Sequence, residues 1–231
     1  MARRYQQTLS IQLQHETVAV QVQAAQRKSM RLSVTETGDI DLRIPLRASR
    51  QEVLAFLQQH QPWLEQRRQQ QVKQLERWQQ EIPVLGRLMP VVVSSADEFL
   101  VGHDRIWVPA SWQAGDVAKA MDSWYRQQAK WEYQRLIEQW WPNFSHCGEK
   151  PVLRVKKMRT RWGSLSKRGY INLNLALMQC PLELIELVVV HELCHLAHFD
   201  HGIGFQRVMD AQLPDWRQRE KALQQQQSLL L

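Results

Sequence analysis

The chain has 231 residues, of which 44% are hydrophobic and 23% charged, a composition that excludes wholesale disorder. Its formal net charge of +7 permits an acidic partner but is milder than the charge of dedicated nucleic-acid binders. Its three cysteines are far apart and predict no disulfide framework. Residues 1–7 lack the pattern of a signal peptide, and no run approaches the length of a membrane span, so the sequence predicts a cytoplasmic protein without a membrane partner.

The N-terminal segment predicts β-hairpins that lead into a linking helix. Apolar and polar residues alternate over residues 8–24 and again over 30–44, which is the period-two pattern of half-buried strands. The sequence Thr37-Gly38-Asp39 predicts the turn of the second hairpin. The segment from Gln58 to Gln80 is rich in Gln, Arg, Lys and Glu with spaced apolar residues, and it predicts an amphipathic helix at the surface.

Further elements follow from capping and periodicity. Ser49 with Glu52 three residues later predicts a capping box at the start of a helix. A second β unit is predicted from Val84 to Val93, continuing through two short apolar runs up to Val108. Residues 116–141 predict a long helix whose apolar and aromatic stripe is expected in the core: Val117, Met121, Trp124, Tyr125, Trp131, Leu136, Ile137 and Trp140.

The C-terminal part returns to β structure before a buried helix. Strands are predicted at Val152–Val155, Arg159–Leu165 and Tyr170–Asn174. Pro181 is expected at the first position of a helix that extends from Leu182 to about Phe199. Because this helix is apolar nearly all round, it is expected to be buried.

The buried helix carries His191, Glu192 and His195 in an HExxH pattern, and four of the eight histidines of the chain lie within residues 191–201. Residues four apart share one face of a helix, so the imidazoles of His191 and His195 converge on one point. This spacing is typical of a Zn²⁺ site in which the glutamate accepts a proton from water. The sequence therefore predicts a zinc-dependent hydrolase, with Glu192 as its general base.

The third metal ligand is predicted to be His201. It lies six residues after His195 and reaches the same point only if the chain turns back near Phe199-Asp200. An acid further along, either Asp210 or Glu220, is the alternative ligand. His198 is expected to support a ligand or to donate to a substrate oxyanion.

These motifs resemble the YgjP-like metallopeptidase family, which is related to the SprT-like proteins. The resemblance rests on Arg159–Ser164, Ile171–Asn174, Val188–Leu196, Asp200-His201 and Phe205, and it extends to the Arg27–Leu32 segment and the Leu85-Gly86-Arg87 turn. The resemblance implies that His191, His195 and His201 bind zinc, that Glu192 is the general base, and that the substrate is a peptide or protein.

The residues that bind substrate are predicted less directly. Residues 150–168 carry eight Lys and Arg residues and no Asp or Glu. Arg159 and Arg161 are therefore candidates to bind substrate, and Trp162 is a candidate to stack on it. The basic stretch leaves three alternatives to a peptidase open. They are a hydrolase of a phosphoanhydride or nucleotide, a protease associated with nucleic acid, and a non-enzymatic binding module stabilised by zinc.

The sequence as a whole predicts an α+β protein. A domain of β-hairpins plus a linking helix is expected over residues 1–80, and a compact zincin-like metallopeptidase domain over residues 81–231. In the second domain the active-site helix is expected to pack on a small sheet. The sequence leaves the oligomeric state and the natural substrate open.

Overall fold

A computed structural model describes residues 6–13, 16–35, 38–94 and 97–230. Most of residues 1–7, on which the prediction about a signal peptide rests, lie outside the described residues, and so does Thr37 of the predicted turn. The described chain contains six α-helices and three sheets of mixed strand direction, with β structure concentrated first. The predicted α+β class is confirmed. No helix in these ranges is long and apolar enough to cross a membrane.

The first sheet has the strand order β1-β2-β4-β3 and consists of β1 (Gln6–Gln12), β2 (Thr17–Ala25), β3 (Arg31–Val34) and β4 (Ile40–Pro45). Strands β1 and β2 pair antiparallel, as do β3 and β4, whereas β2 and β4 are parallel. The predicted alternation is confirmed, because Val18, Val20 and Val22 are buried on one face of β2.

Two helices follow the first sheet. Helix α1 (Arg50–Gln59) begins with the predicted capping box, in which Ser49 and Glu52 bond each other's backbone N–H groups. Helix α2 (Gln61–Trp78) begins immediately afterwards, with a proline in its first turn. Leu57 and Leu64 from these helices join the valines of β2 in one hydrophobic core.

The second sheet has the order β5-β6-β8-β7 and consists of β5 (Glu81–Val84), β6 (Arg87–Ser94), β7 (Leu100–Val101) and β8 (Ile106–Pro109). The predicted second β unit is present, and within it the chain reverses at Leu85 and Gly86, between β5 and β6. Both residues have positive φ, +48° and +80°, and that backbone forms the two-residue turn of a hairpin.

Helix α3 (Ala114–Trp140) is the long helix predicted from the aromatic stripe. The prediction that Trp131 is in the core is wrong, since this side chain is 64% exposed. The buried face instead includes Ala129 and Tyr133. Each of these lies two residues from Trp131, or about 200° around the helix, and Trp131 therefore faces the opposite side.

The third sheet has the order β10-β11-β9 and consists of β9 (Val152–Lys156), β10 (Gly163–Ser166) and β11 (Tyr170–Asn174). Strand β11 is parallel to β9 and antiparallel to β10. A strand was expected over Arg159–Leu165, but β10 begins four residues later than expected, at Gly163. The preceding segment is held as a loop because the Asn174 side chain donates to the backbone carbonyls of Met158 and Arg161.

Helix α4 (Leu182–Cys194) packs on β10 and β11, as predicted for the active-site helix, and α5 (Ile203–Gln212) and α6 (Trp216–Gln224) pack on α4. Two boundaries of α4 differ from the prediction. Pro181 has an extended ψ of 148° and is the N-cap rather than the first helical residue. The helix ends at Cys194, before Phe199, because the chain tightens into turns after it.

The chain forms two compact units. One comprises Met1–Glu81 with Pro90–Ala120, and the other comprises Ile82–Met89 with Met121–Leu231. Residues 90–120 therefore fall in one unit with the N-terminal segment, and the domain boundary expected after residue 80 stays a prediction. All of α4, α5, α6 and the third sheet belong to the second unit.

Candidate metal centre and active site

Three histidine side chains converge in the second unit. One ligand atom from each of His191, His195 and His201 lies within 4.8 Å of the others, the one such group of metal-ligating side chains found among the described residues. His191 and His195 are one turn apart, and the Nε2 atoms of His191 and His201 are 3.1 Å apart. Two imidazoles on one tetrahedral zinc ion have nitrogens about 3.3 Å apart, so this spacing suits a shared ion.

His201 reaches the other two histidines because α4 ends early. The Nδ1 of His195 donates to the carbonyl oxygen of His198 at 2.9 Å, which closes the turn after the helix. Asp200 Oδ1 then accepts the Gly202 N–H at 2.9 Å and reverses the chain into α5. The predicted turn near Phe199-Asp200 is confirmed. The same bond on Nδ1 leaves the Nε2 of His195 free to accept a metal.

Phe205 lies beneath the three imidazoles, and the sequence analysis gave it no role. Its ring centroid is 4.8 to 4.9 Å from each of the three histidine rings, and its side chain is buried. It therefore restricts the rotation of all three rings at once. No local pattern of the sequence indicated this role, because the contact depends on how α5 packs against α4.

Burial favours the neutral form of His191 and His195, which is the form that binds a metal. Burial, aided by the nearby imidazoles of His195 and His201, lowers the pKa of His191 to about 4. Burial also lowers the pKa of His195, although its hydrogen bond to His198 opposes that change. Three imidazole donors with these spacings fit zinc.

Glu192 is buried beside the histidines, and its Oε2 atom has no hydrogen-bond partner. Burial raises the pKa of its carboxyl to about 8, while the Leu165 backbone N–H and the charge of Arg161 act in the opposite direction. An unpaired buried carboxylate is costly to stability and is typical of a functional site. A nearby cation would relieve part of this cost.

Gly163 makes room for the Glu192 carboxylate. A Cβ atom at position 163 would lie 2.5 Å from Oε1 of Glu192 and 2.9 Å from a methyl group of Val188. The first residue of β10 must therefore lack a side chain so that the strand can approach α4. A glycine within a strand is typical of close backbone approach, and here the group that approaches is the Glu192 carboxylate.

Asn174 fixes the loop that leads to Gly163. Its Nδ2 donates to the carbonyl oxygens of Met158 and Arg161 at 2.7 and 3.0 Å, and its own backbone N–H donates to the carbonyl of Trp162. Tyr133 in turn donates its hydroxyl hydrogen to the Asn174 carbonyl. Sequence reasoning assigned Asn174 no role. The available signal was a polar residue on a strand expected to be buried, since such a residue must find partners.

The predicted substrate residues fall into two groups. Arg161 and Trp162 line a pocket that also includes His191 and Glu192. Arg159 is exposed and does not line this pocket, and the exposed His198 places its ring against the Gly204 position, outside the three converging histidines. Their roles in substrate binding remain predictions.

Neither of the two alternative acidic ligands belongs to the group that converges with His191 and His195. The carboxylate of Asp210 accepts from the indole N–H of Trp216 at 2.8 Å and pairs with Arg217. Glu220 lines the pocket but is not among the groups that converge with the histidines.

A helix-borne His-Glu pair that meets a third histidine beside a small sheet is the arrangement of a metal-dependent peptidase. A family model described as the YgjP-like metallopeptidase domain matches residues 28–226, and the chain belongs to this YgjP-like family. The family implies a metal, typically zinc, and peptide or protein substrates. Comparisons with curated proteins and with solved structures gave no match.

Proposed function

We propose that this protein is a zinc-dependent peptidase whose metal is held by His191, His195 and His201 and whose general base is Glu192. One observation carries the proposal. Three imidazoles converge to within 4.8 Å beside a buried carboxylate that lacks a partner on one oxygen. Membership in a metallopeptidase family supports the same chemistry.

The residues of the site have separable roles in hydrolysis. When bound, zinc would act as a Lewis acid and lower the pKa of a coordinated water. Glu192 accepts a proton from the attacking water and later delivers it to the leaving amine. Its burial favours the protonated carboxyl between these two transfers, and the Leu165 N–H together with the Arg161 charge limits that preference.

The substrate main chain is proposed to lie along β10. This strand stands at one end of the β10-β11-β9 order, and the described residues pair it on its β11 side alone. An extended peptide can add to such an edge by main-chain hydrogen bonds. Because β10 begins at Gly163, next to Glu192, a peptide on this edge would pass beside the general base.

Metal content tests the ligand set. We expect about one zinc per chain in the purified protein. His201→Ala is expected to reduce zinc affinity strongly, whereas the matched variant His198→Ala, three residues away, is expected to retain most of it. Equal losses, or a larger loss for the His198 variant, would assign the third position to another residue. Zinc is measured by competition with a chromogenic chelator.

Turnover tests the general base. Glu192→Gln keeps the shape of the side chain but cannot accept a proton at neutral pH, so it is expected to retain zinc and to lose activity by about 10²-fold or more. Unchanged turnover of a confirmed substrate would remove Glu192 from the mechanism. Absence of turnover by the zinc-loaded unmodified protein would instead favour the alternative in which the zinc stabilises a binding module.

Salt dependence separates a peptide from a phosphate-bearing substrate. If main-chain bonds dominate binding, Arg159→Ala and Arg161→Ala are expected to change KM modestly at any salt concentration. If the substrate is a nucleotide or a nucleic acid, both variants should raise KM steeply, and KM of the unmodified protein should rise with salt. Casein, nucleotides and a DNA-bound protein serve as parallel substrates, the last testing a protease associated with nucleic acid.

A further inference from the structure

A pocket of about 280 Å³ opens directly beside the proposed catalytic residues, and neither the metal nor the general base accounts for it. Its walls come from three parts of the second unit. They are the segment from Arg161 to Gly163, one face of α4 that includes His191 and Glu192, and α6 with the residues that follow it. Its volume is below the range of about 300–1,000 Å³ common for small-molecule sites, and it suits a single side chain better than a whole ligand.

The interior of the pocket differs in chemistry from its mouth. Leu187, Val188, Trp216 and Leu223 line it and are all buried, so its interior is apolar. The remaining α6 residues along it, such as Gln224, are polar and exposed. A charged side chain entering the apolar interior would lose hydration and could pair only with the charged lining residues Arg161, Glu192 and Glu220, whereas an apolar one would gain from leaving water.

The α6 wall is fixed to α4 by a partly buried ionic network. Arg219 donates to the Glu186 carboxylate at 2.7 Å and to the Glu183 carbonyl at 3.1 Å, and its side chain is 19% exposed. Glu186 also accepts from the indole N–H of Trp140 at 3.0 Å. On the pocket side, Trp216 is held by its bond to Asp210. The pocket is therefore built into the unit and does not depend on a mobile side chain.

We propose that this pocket receives an apolar side chain of the substrate residue next to the scissile bond, and that α6 thereby determines cleavage specificity. The inference rests on the proposed peptidase function. Because Gly163 belongs both to the pocket wall and to the start of β10, a peptide paired along β10 would present a side chain at the pocket. Leucine, methionine and phenylalanine are the expected occupants.

Binding to the metal-free protein tests the pocket without requiring catalysis. The probes are the peptides acetyl-Ala-X-Ala-amide, with X as Leu, Phe, Ala, Asp or Lys, and dissociation constants are measured by saturation-transfer NMR. The Leu and Phe peptides are expected to bind about 10- to 100-fold more tightly than the Ala peptide, which is the scale for burial of one large apolar side chain. The Asp and Lys peptides are expected to show no such gain.

Filling the pocket should remove this preference. Gln224→Trp places a large side chain at the mouth from an exposed position, so folding should be unaffected, and the Leu and Ala peptides are then expected to bind alike. The matched variant Gln225→Trp changes the neighbouring exposed residue, which does not line the pocket, and should retain the preference. Equal loss in both variants would overturn the assignment.

A second measurement separates this proposal from the proposed function. A degenerate peptide mixture is incubated with the zinc-loaded protein, and the cut positions are read by mass spectrometry. Enrichment of apolar residues beside the cut, lost in Gln224→Trp alone, supports both proposals. Selective binding without any cleavage supports the pocket and contradicts the peptidase. Cleavage without apolar preference contradicts the pocket and leaves the peptidase standing.

Discussion

Glu192→Gln should stabilise the metal-free protein in a pH-dependent way. The carboxyl of Glu192 has its pKa raised from 4.5 to about 8, with burial as the main cause. Folding therefore favours the protonated form, and the ionised form opposes folding. This cost is absent below pH 4.5, grows as the pH rises toward 8, and is constant above that. Glutamine carries no charge at any pH and avoids it.

The size of the effect follows from the pKa change. Each pKa unit corresponds to about 1.4 kcal/mol, and at pH 7 about 2.5 units separate the solution pH from the unperturbed pKa of 4.5. Because the folded protein holds this carboxyl protonated at pH 7 whereas the unfolded chain ionises it, folding loses about 3 kcal/mol at that pH. The buried amide of glutamine keeps a desolvation cost of about 1–2 kcal/mol. A net gain of about 1–2 kcal/mol is expected at pH 7, turning into a loss of about 1 kcal/mol near pH 4.5, where only the cost of the amide remains.

Urea unfolding at pH 5 and pH 7.5, after zinc removal with a chelator, measures this gain. Amide hydrogen exchange in peptides from α4 (Leu182–Cys194) ensures that the unfolding followed is that of the second unit. The control is Glu183→Gln, the same substitution at an exposed position of the same helix, where a change within about 0.5 kcal/mol is expected at both pH values.

Two outcomes would refute the reasoning. A gain of equal size at both pH values would mean that the change in packing, not the charge, produces it. No gain at pH 7.5 would mean that the carboxylate is not penalised in the folded protein. Added zinc provides a further check, because a bound cation lowers the pKa of a nearby carboxyl and should reduce the advantage of glutamine.

Three further substitutions probe the residues that position the site. Gly163→Ala places a Cβ 2.5 Å from Glu192 Oε1 and should reduce turnover at least 10-fold while zinc content, measured by metal analysis, stays constant. Asn174→Ala leaves the carbonyls of Met158 and Arg161 without their donor, and urea unfolding should show a loss of about 1–3 kcal/mol. Phe205→Ala removes the ring beneath the histidines but no ligand, and chelator competition should show zinc affinity lowered about 10- to 100-fold. Unaltered zinc affinity in the last variant would mean that the imidazoles are oriented without Phe205.

Local sequence determined the elements whose signals lie within a few residues. The alternation over Val18, Val20 and Val22 specified a half-buried strand because side chains on a strand alternate between faces. The Ser49–Glu52 capping box specified a helix start for a similarly local reason. The pairing of His191 with His195 follows from the pitch of a helix, and the sequence therefore predicted that part of the candidate site.

The tertiary structure decided everything that depends on partners distant in the chain. No helical period indicates that α4 ends at Cys194, because the end depends on the turn formed by the His195–His198 bond. The exposure of Trp131 depended on which face of α3 meets the rest of its unit, and several faces of that helix carry aromatic residues. An amphipathic pattern with more than one apolar face does not select between them.

The candidate site shows the same division. The types of its ligands could be predicted from the sequence, because zinc binds imidazole nitrogens and the HExxH spacing places two of them on one helix face. The residues that position these ligands and Glu192 could not be predicted, because Phe205, Asn174 and Gly163 act through contacts with segments distant in the chain. Packing between distant segments is not encoded in any local period, and for that reason only the folded chain brings these side chains together.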